Sequence, residues 1–175
     1  MYFFTADEHY YHKNIIKYCN RPFKNLTEMH KELIKRNNEI VTKNDIVIHG
    51  GDFTFLNKYQ DAQKIIDQLN GNHFFIRGSH DKWMNQNYHE IWQRRINNNH
   101  IVVCHFAMIV WPKSHHNSIL LFGHSHGRLN DIIQGKCYDI GVDNNNYYPI
   151  SEEKIFLLME DKPDNFNFIK GAERR

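Results

Sequence analysis

The sequence predicts one α+β domain covering residues 1–175, of the α/β type in its first half and rich in strands in its second. Its length suits one domain with a substantial core and is too short for two ordinary ones. In the first half, strand-like apolar runs alternate with segments of helical periodicity. In the second half, strand-like runs follow one another with little helical sequence between them.

The first half is predicted to consist of strand–helix–strand units with parallel strands. Within the longer helical segment, Met29, Leu33 and Ile34 recur near helical spacing and predict one buried face. In chain order, the predicted elements are a strand at 2–5, a helix at 26–41, a strand at 45–49, a helix at 62–69 and a strand at 73–76.

The second half is predicted to form a second sheet with a more antiparallel meander. Its strand-like runs are residues 100–106, 118–122 and 137–142. A last helix is expected after Ser151, because its hydroxyl suits the N-cap and the two glutamates that follow favour the positive end of a helix. From about residue 162 the chain is polar and basic, which predicts a solvated tail.

The composition is that of a soluble globular protein, with 41% hydrophobic and 24% charged residues. A formal charge of +2 gives no strong electrostatic basis for binding nucleic acid, which disfavours a nuclease acting on polynucleotides. No apolar run is long enough for a membrane span, and the N-terminus lacks the pattern of a signal peptide. The three cysteines have no tight spacing and suggest neither a disulfide framework nor a zinc–thiolate site. We therefore expect a cytoplasmic protein.

Histidine is over-represented in this composition, with 13 residues. Many of them lie in short polar clusters, each placed directly after a strand-like run. Because loops at the carboxyl ends of parallel strands converge on one edge of a sheet, we expect these clusters to meet in space. The clusters are Asp7-Glu8-His9, Gly51-Asp52, Gly78-Ser79-His80-Asp81, His105 and Gly123-His124-Ser125-His126.

The side chains in these clusters suit a site for a pair of metal ions. Asp7 and His9 are two residues apart, so in an extended chain they project to the same side and reach one ion together. Asp52 follows two glycines, and one carboxylate can bridge two ions roughly 3.5–4 Å apart. Imidazole and carboxylate ligands without thiolates are typical of dinuclear enzymes that hydrolyse phosphate esters.

In this order, the clusters resemble the motif series of the calcineurin-like metallophosphoesterase superfamily over nearly the whole chain. Residues 7–16, Asn20-Arg21-Pro22-Phe23, Gly141-Val142-Asp143 and Tyr148-Pro149-Ile150 resemble more narrowly its small single-domain bacterial and phage phosphoesterase branch. The resemblance implies a four-layer αββα sandwich of two mixed sheets flanked by helices, with the metals at one edge.

The resemblance also implies two divalent metal ions as cofactors, with Asp52 shared between them. Manganese is the metal we expect, and iron, nickel, cobalt and zinc also suit imidazole and carboxylate sites. The implied ligands are Asp7, His9, Asp52 and His126 for the first ion, and Asp52, Ser79, His105 and His124 for the second.

Ser79 departs from the family pattern, which has asparagine at this position. A serine hydroxyl has a shorter reach than an asparagine amide oxygen and is a poorer neutral ligand. We therefore expect a weakened second metal and reduced activity.

The catalytic roles are implied in the same way. His80 would protonate the leaving oxygen or stabilise the developing charge, and Asp81 would orient the His80 ring. A water or hydroxide bridging the two metals would be the nucleophile for in-line attack on phosphorus. His12 and Arg21 are candidates for contacts with the substrate phosphate, and a surface role is the alternative for both.

The predicted function is hydrolysis of a phosphomonoester or phosphodiester, with a small phosphorylated substrate such as a nucleotide or a cyclic phosphate. One alternative is a protein serine/threonine phosphatase, which residues 51–54 disfavour because they lack the Asp-Arg-Gly of that branch. Another is a non-catalytic phosphate-binding protein with a degraded metal site, which Ser79 favours. Trp83, Trp92 and Trp111 are expected to serve the core, with stacking on a nucleobase as the alternative. A homodimer is the oligomer we expect.

Overall fold

In the computed structural model, the described residues are 1–84, 88–130, 132 and 135–163. They form two four-stranded sheets with helices beside them. The strands are β1 (Tyr2–Thr5), β2 (Ile46–His49), β3 (Asn72–Phe75), β4 (Ile91–Ile96), β5 (Asn99–Cys104), β6 (Ile119–Phe122), β7 (Cys137–Asp139) and β8 (Ile150–Ser151). The helices are α1 (Ile15–Tyr18), α2 (Leu26–Ile40), α3 (Tyr59–Ile66) and α4 (Glu152–Met159), with short 3-10 helices at Ser114–His116 and Val142–Asn144.

The first sheet has the strand order β3-β2-β1-β8. The pairs β1–β2 and β2–β3 are parallel, as predicted, and β8 joins β1 antiparallel, so the sheet is mixed. Thr5 lies opposite His49, and His49 lies opposite Phe75. The carboxyl ends of the three parallel strands are therefore level, and the loops that follow them leave the sheet side by side.

The second sheet has the order β4-β5-β6-β7 and is also mixed. The pair β4–β5 is an antiparallel hairpin that turns at Asn97 and Asn98, both in the left-handed conformation. However, β5, β6 and β7 are parallel to one another, so the predicted antiparallel meander is wrong for these strands. The connections 105–118 and 123–136 reach the length of about a dozen residues that a parallel crossover needs, and their described residues form no α-helix.

Strand β4 was not predicted from the sequence. Its middle residues Gln93, Arg94 and Arg95 are exposed and polar, so the apolar alternation of a half-buried strand is missing. The strand lies at the edge of its sheet, where charged side chains block pairing with another chain.

The main core lies between the two sheets. Along β5, Ile101 and Val103 face this core, whereas Val102 and Cys104 belong to a separate cluster, as the two-residue period of a strand requires. The apolar faces of α2 and α3 pack into a third cluster, formed around Met29, Leu33, Ala62 and Ile65. The predicted αββα sandwich of two mixed sheets with flanking helices is confirmed.

The helix termini follow local sequence. The side chain of Asn25 accepts a hydrogen bond from the Glu28 N–H at the start of α2, and Ser151 accepts one from the Lys154 N–H, as its predicted N-cap role requires. Helix α3 begins and ends three residues earlier than predicted, and its buried residues are Ala62 and Ile65. Most of the predicted polar tail, residues 164–175, lies outside the described residues. Among the helices described, none is long and apolar enough to cross a membrane.

Candidate metal centre

The polar clusters that follow the strands meet at one edge of the two sheets. Backbone hydrogen bonds join their loops: the Asp7 N–H donates to the Gly51 carbonyl, and the His9 N–H donates to the Asp52 carbonyl, both at 3.0 Å. In the second sheet, the Gly123 N–H donates to the His105 carbonyl at 3.1 Å. The loops are thus held at fixed positions independently of any bound ion.

Among the described residues, three groups of side chains are close enough for each to bind a cation, because the potential ligand atoms of each group lie within 4.8 Å of one another. Two of them consist of predicted ligands: the first group is Asp7, His9 and His126, and the second is Asp52, His105 and His124. The third, Cys19, His126 and Asp143, shares His126 with the first group.

Asp52, a member of the second group, also faces the first. Its Oδ2 atom is 3.7 Å from Nε2 of His9 in the first group and 3.4 Å from Nε2 of His105 in the second. This geometry suits the shared-ligand role expected of Asp52, because one carboxylate oxygen faces both candidate ion positions.

Contacts at Nδ1 hold three of the imidazole rings. The Nδ1–H of His105 donates to the Gly50 carbonyl at 3.0 Å, and the Nδ1–H of His126 donates to Oδ2 of Asp143 at 2.7 Å. The Nδ1 atoms of His9 and His12 lie 3.4 Å apart. An imidazole whose Nδ1 is occupied in this way presents a free Nε2 lone pair, as a metal ligand must.

An unsatisfied buried atom supports the fit to a cation. The Nε2 atom of His9 is buried and has no hydrogen-bond partner among the described residues. Burying a polar nitrogen without a partner is costly, and such groups are rare in native proteins unless an ion or water satisfies them. A divalent cation between His9 and Asp52 would satisfy this atom and the facing carboxylate oxygen together.

Burial and the neighbouring charges shift the pKa values of these groups. Burial raises the pKa of Asp7 to about 8 and lowers that of His9 to about 2, so the His9 ring is neutral. Burial also opposes ionisation of Asp52, but its hydrogen bonds with His105 and the His80 N–H bring its pKa down to about 2. Burial disfavours the charged form of His126, but the hydrogen bond to Asp143 raises its pKa to about 10. The protein thus holds protons in this cluster that bound cations would displace.

The backbone of the cluster is strained. Five of its residues, none of them glycine, have φ between +49° and +67°, a region that costs side-chain-bearing residues free energy and is enriched at functional sites. These are Asp7, His9, Asp52, His124 and His126. The Gly78 loop and the Asp52 loop also approach each other closely. A Cβ atom on Gly78 would overlap the backbone nitrogen and side chain of Asp52.

Ser79 lies at the edge of the second group. Its Oγ atom is 3.2 Å from Nε2 of His105, and the residue is exposed. The hydroxyl therefore faces the atom through which His105 would bind a metal. Its role as a ligand stays a prediction.

His80 lies at the mouth of the site. Its side chain is 43% exposed, and its Nε2 atom is 3.9 Å from Oδ2 of Asp52. The backbone N–H of His80 donates to Oδ1 of Asp52 at 2.8 Å, which fixes the loop relative to the candidate bridging carboxylate. A ring so placed can reach a substrate bound at the centre while exchanging protons with water.

The predicted role of Asp81 in orienting the His80 ring is wrong. The Asp81 carboxylate is buried and accepts hydrogen bonds from the N–H groups of residues 52–54, the Gly78 N–H and the Trp83 indole. The His80 ring is not among its donors. Asp81 instead ties the Gly78 loop to the Asp52 loop, so it positions Asp52 and His80 through the backbone.

The predicted contact of Arg21 with substrate is also wrong. Its side chain is fully buried and donates to both carboxylate oxygens of Asp143 and to the carbonyls of Asp7 and Glu8. The sequence does not predict the burial of Arg21, because the pattern of a basic residue before proline in a loop is the same for a residue that faces solvent and for one that faces the interior. His12 is half-buried with its ring stacked on Phe55, and its contact with substrate stays a prediction.

Two carboxylates near the centre had no role assigned from the sequence. Asp143 holds His126 and Arg21, and only its position in the Gly-Val-Asp motif drew attention to it. Glu8 is buried and accepts from the Thr5 hydroxyl and from Nδ1–H of His49 at 2.8 Å. No sequence pattern marks these contacts, because His49 and Asp143 lie far from their partners along the chain.

The fold has the two mixed sheets with flanking helices that the motif resemblance implied, and candidate metal ligands lie at one edge of these sheets. No family model matches the chain. Over 168 residues it is 36% identical to the uncharacterized protein MJ1445 of Methanocaldococcus jannaschii, an alignment that covers 90% of each protein. The chain belongs to the family of this protein.

Two solved structures are similar. The protein of unknown function AQ665 from Aquifex aeolicus has a TM-score of 0.70 at 24% identity, over 90% of this chain and 98% of that chain. A conserved uncharacterized protein from Streptococcus pneumoniae TIGR4, described as a predicted phosphoesterase, has a TM-score of 0.44 at 16% identity, over 80% of this chain and 70% of that chain.

Proposed function

We propose that this protein is a metal-dependent phosphoesterase that hydrolyses a small phosphomonoester or phosphodiester. The observation that carries the proposal is the position of the Asp52 carboxylate, whose Oδ2 lies within 3.7 Å of Nε2 of His9 and 3.4 Å of Nε2 of His105. Each of these imidazoles belongs to a separate group of potential metal ligands. Two adjoining nitrogen and oxygen sites that share a carboxylate suit two divalent cations.

Asp7, His9, Asp52 and His126 would bind one cation, and Asp52, Ser79, His105 and His124 the other. Two cations at these positions supply an activated water and a positive clamp on the phosphoryl oxygens. Manganese is our proposal for the metal, because hard carboxylate and borderline imidazole ligands are combined without thiolates.

His80 supplies the proton in the proposed reaction. Its exposed ring can carry a proton at Nε2 and donate it to the leaving oxygen as the ester bond breaks, after which water reprotonates the ring. Asp81 keeps the His80 backbone in place through the Gly78 loop, and Asp143 keeps the His126 ring in place.

The test compares two aspartate variants after the protein has been stripped with a chelator and reloaded with Mn²⁺. Asp52→Asn removes the shared carboxylate, and Asp61→Asn removes an exposed carboxylate on α3 as a matched control. We expect release of 4-nitrophenol from bis(4-nitrophenyl) phosphate to require metal, to fall by about 1,000-fold in Asp52→Asn and to stay unchanged in Asp61→Asn.

Hydrolysis that continues in chelator, or that is equal in the two variants, would contradict the proposal. The non-catalytic alternative makes a different prediction for the same samples. Under that alternative, the protein binds phosphate tightly in the presence of Mn²⁺ but releases no 4-nitrophenol, even in a Ser79→Asn variant.

A further inference from the structure

An exposed aromatic ring lies beside the second ligand group. The ring centroid of Phe106 is 4.8 Å from that of His105 and 4.8 Å from that of His124, with interplanar angles of 71° and 63°. Phe106 is nevertheless 54% exposed. The two imidazoles therefore hold the ring edge-on, while much of its surface remains in contact with water.

The three tryptophans, and Phe55 near the centre, are already covered by other side chains of the protein. Trp83 and Trp111 are 3% exposed, and Trp92 packs against the core between the sheets. Phe55, near His80, has the His12 ring stacked on it at a centroid distance of 3.7 Å. The expected core role of the tryptophans is confirmed, and Phe106 has the exposure that those residues lack.

The chain beside Phe106 is apolar and uncharged. Ile109 and Val110, in the same connection, are 71% and 51% exposed, and residues 106–112 contain no charged side chain. Exposed apolar side chains that follow one another are more typical of a binding surface than of a solvated loop. Of this run, Phe106 is the residue that contacts the second ligand group.

We propose that Phe106 is a specificity-determining residue that stacks on a flat aromatic group in the organic part of the substrate. The inference rests on the proposed function, in which the phosphoryl group occupies the adjoining centre. A nucleobase on the group that stays on phosphorus provides the π-face that such a contact requires, and stacking tolerates different bases because all of them have one. The substrate class is therefore a nucleoside phosphate ester.

The test uses two phosphodiesters that share a leaving group. Thymidine 5′-(4-nitrophenyl) phosphate carries a nucleobase, and methyl 4-nitrophenyl phosphate does not. Because both esters have the 4-nitrophenyl ring as leaving group, the ratio of their kcat/KM values measures the preference for a nucleobase in the part that stays on phosphorus, without changing the chemistry of the step. It is measured in the Mn²⁺-loaded wild type, in Phe106→Ala, in Phe106→Tyr and in Tyr59→Ala, a half-exposed aromatic on α3 that serves as control.

We expect Phe106→Ala to lower this ratio by about tenfold, mainly by raising KM for the thymidine ester. Phe106→Tyr restores the ratio because it keeps a ring, and Tyr59→Ala leaves it at the wild-type value. An unchanged ratio in Phe106→Ala overturns the inference. An equal loss on both substrates also overturns it, because Phe106 would then only support His105 and His124.

A different result would show that the proposed function itself is wrong. If the loaded wild type hydrolyses neither ester, the phosphoesterase proposal fails, and calorimetric binding of thymidine 5′-phosphate and methyl phosphate then tests Phe106 by itself. A preference for the thymidine compound that Phe106→Ala removes supports the stacking role. The absence of a preference in the wild type overturns it.

Discussion

Oδ2 of Asp143 lies 2.7 Å from Nδ1 of His126 and 2.7 Å from Nη2 of Arg21. One carboxylate thus joins a candidate metal ligand to a buried guanidinium that also donates to the carbonyls of Asp7 and Glu8. This contact fixes the His126 ring with Nε2 toward the centre. Carboxylates that hold metal-binding histidines in this way raise the basicity of the ligand and its affinity for metal.

Replacing Asp143 should therefore weaken metal binding. We expect Asp143→Asn to reduce Mn²⁺ affinity by about 10- to 100-fold, measured by competition with a chelating indicator dye. Asp61→Asn is the matched control and should bind as the wild type does. Because Arg21 loses a charged partner, circular dichroism must show that the variant is folded. Unchanged affinity in a folded Asp143→Asn protein would contradict the positioning role.

Restoring asparagine at position 79 should strengthen the second metal. The Ser79 hydroxyl already lies 3.2 Å from Nε2 of His105, and an amide oxygen reaches further into the site. We expect Ser79→Asn to bind more metal per chain at limiting Mn²⁺ and to hydrolyse bis(4-nitrophenyl) phosphate faster. Metal analysis and initial rates measure the two effects. No gain in either would mean that this position does not limit the site.

Removing His80 should matter most for poor leaving groups. Its ring is 43% exposed at the mouth, where it can donate a proton to the leaving oxygen. We expect His80→Ala to lower kcat by about 100- to 10,000-fold on an alkyl ester and by far less on a 4-nitrophenyl ester, which leaves without protonation. Parallel losses on the two esters would assign His80 to binding rather than to proton donation.

Asp81 should behave as a structural residue. Its buried carboxylate accepts hydrogen bonds from three successive N–H groups at 52–54, and an asparagine amide would leave some of these unsatisfied. We expect Asp81→Asn to reduce the free energy of unfolding by about 2–4 kcal/mol in urea titrations of the metal-free protein. A variant that loses activity without losing stability would instead support direct pairing of Asp81 with His80.

Two half-buried histidines outside the centre predict how the free energy of unfolding depends on pH. Burial lowers the pKa of His30 to about 4 and that of His73 to about 3. Below their ordinary pKa of about 6.5, the unfolded chain binds protons that the folded chain does not. Their contribution to stability is therefore complete above pH 6.5 and is lost as the pH falls toward 4 and 3.

The variant His30→Gln isolates one of these contributions. Nε2 of His30 accepts a hydrogen bond from the Tyr11 N–H at 2.9 Å, and a glutamine amide oxygen can replace it. In urea unfolding of the metal-free protein, the variant should lose less stability between pH 7 and pH 4.5 than the wild type. His116→Gln, an exposed control, should follow the wild type. Equal losses in all three proteins would contradict the assignment to His30.

Local sequence determined much of the architecture and of the candidate site. The apolar runs that became β1, β2, β3, β5 and β6 are visible in the sequence because each of them contains consecutive apolar residues. The residues of the two ligand groups were all identified, because each follows one of these runs and the ends of parallel strands converge. The Ser151 N-cap is likewise a local hydrogen bond that its own neighbours specify.

The tertiary structure decided what depends on contacts between distant residues. The direction of β7 depends on the long connection that precedes it. The pairing of β4 was not predictable because its residues are polar and lie at a sheet edge, so the strand has no apolar periodicity. The roles of Arg21 and Asp81 depend on which buried groups surround them, and their partners Asp143 and Asp52 lie far away along the chain. A sequence shows which side chains can carry a charge or form a hydrogen bond. Folding decides which of them become partners, because a buried charge must be paired with a group that the fold brings close to it.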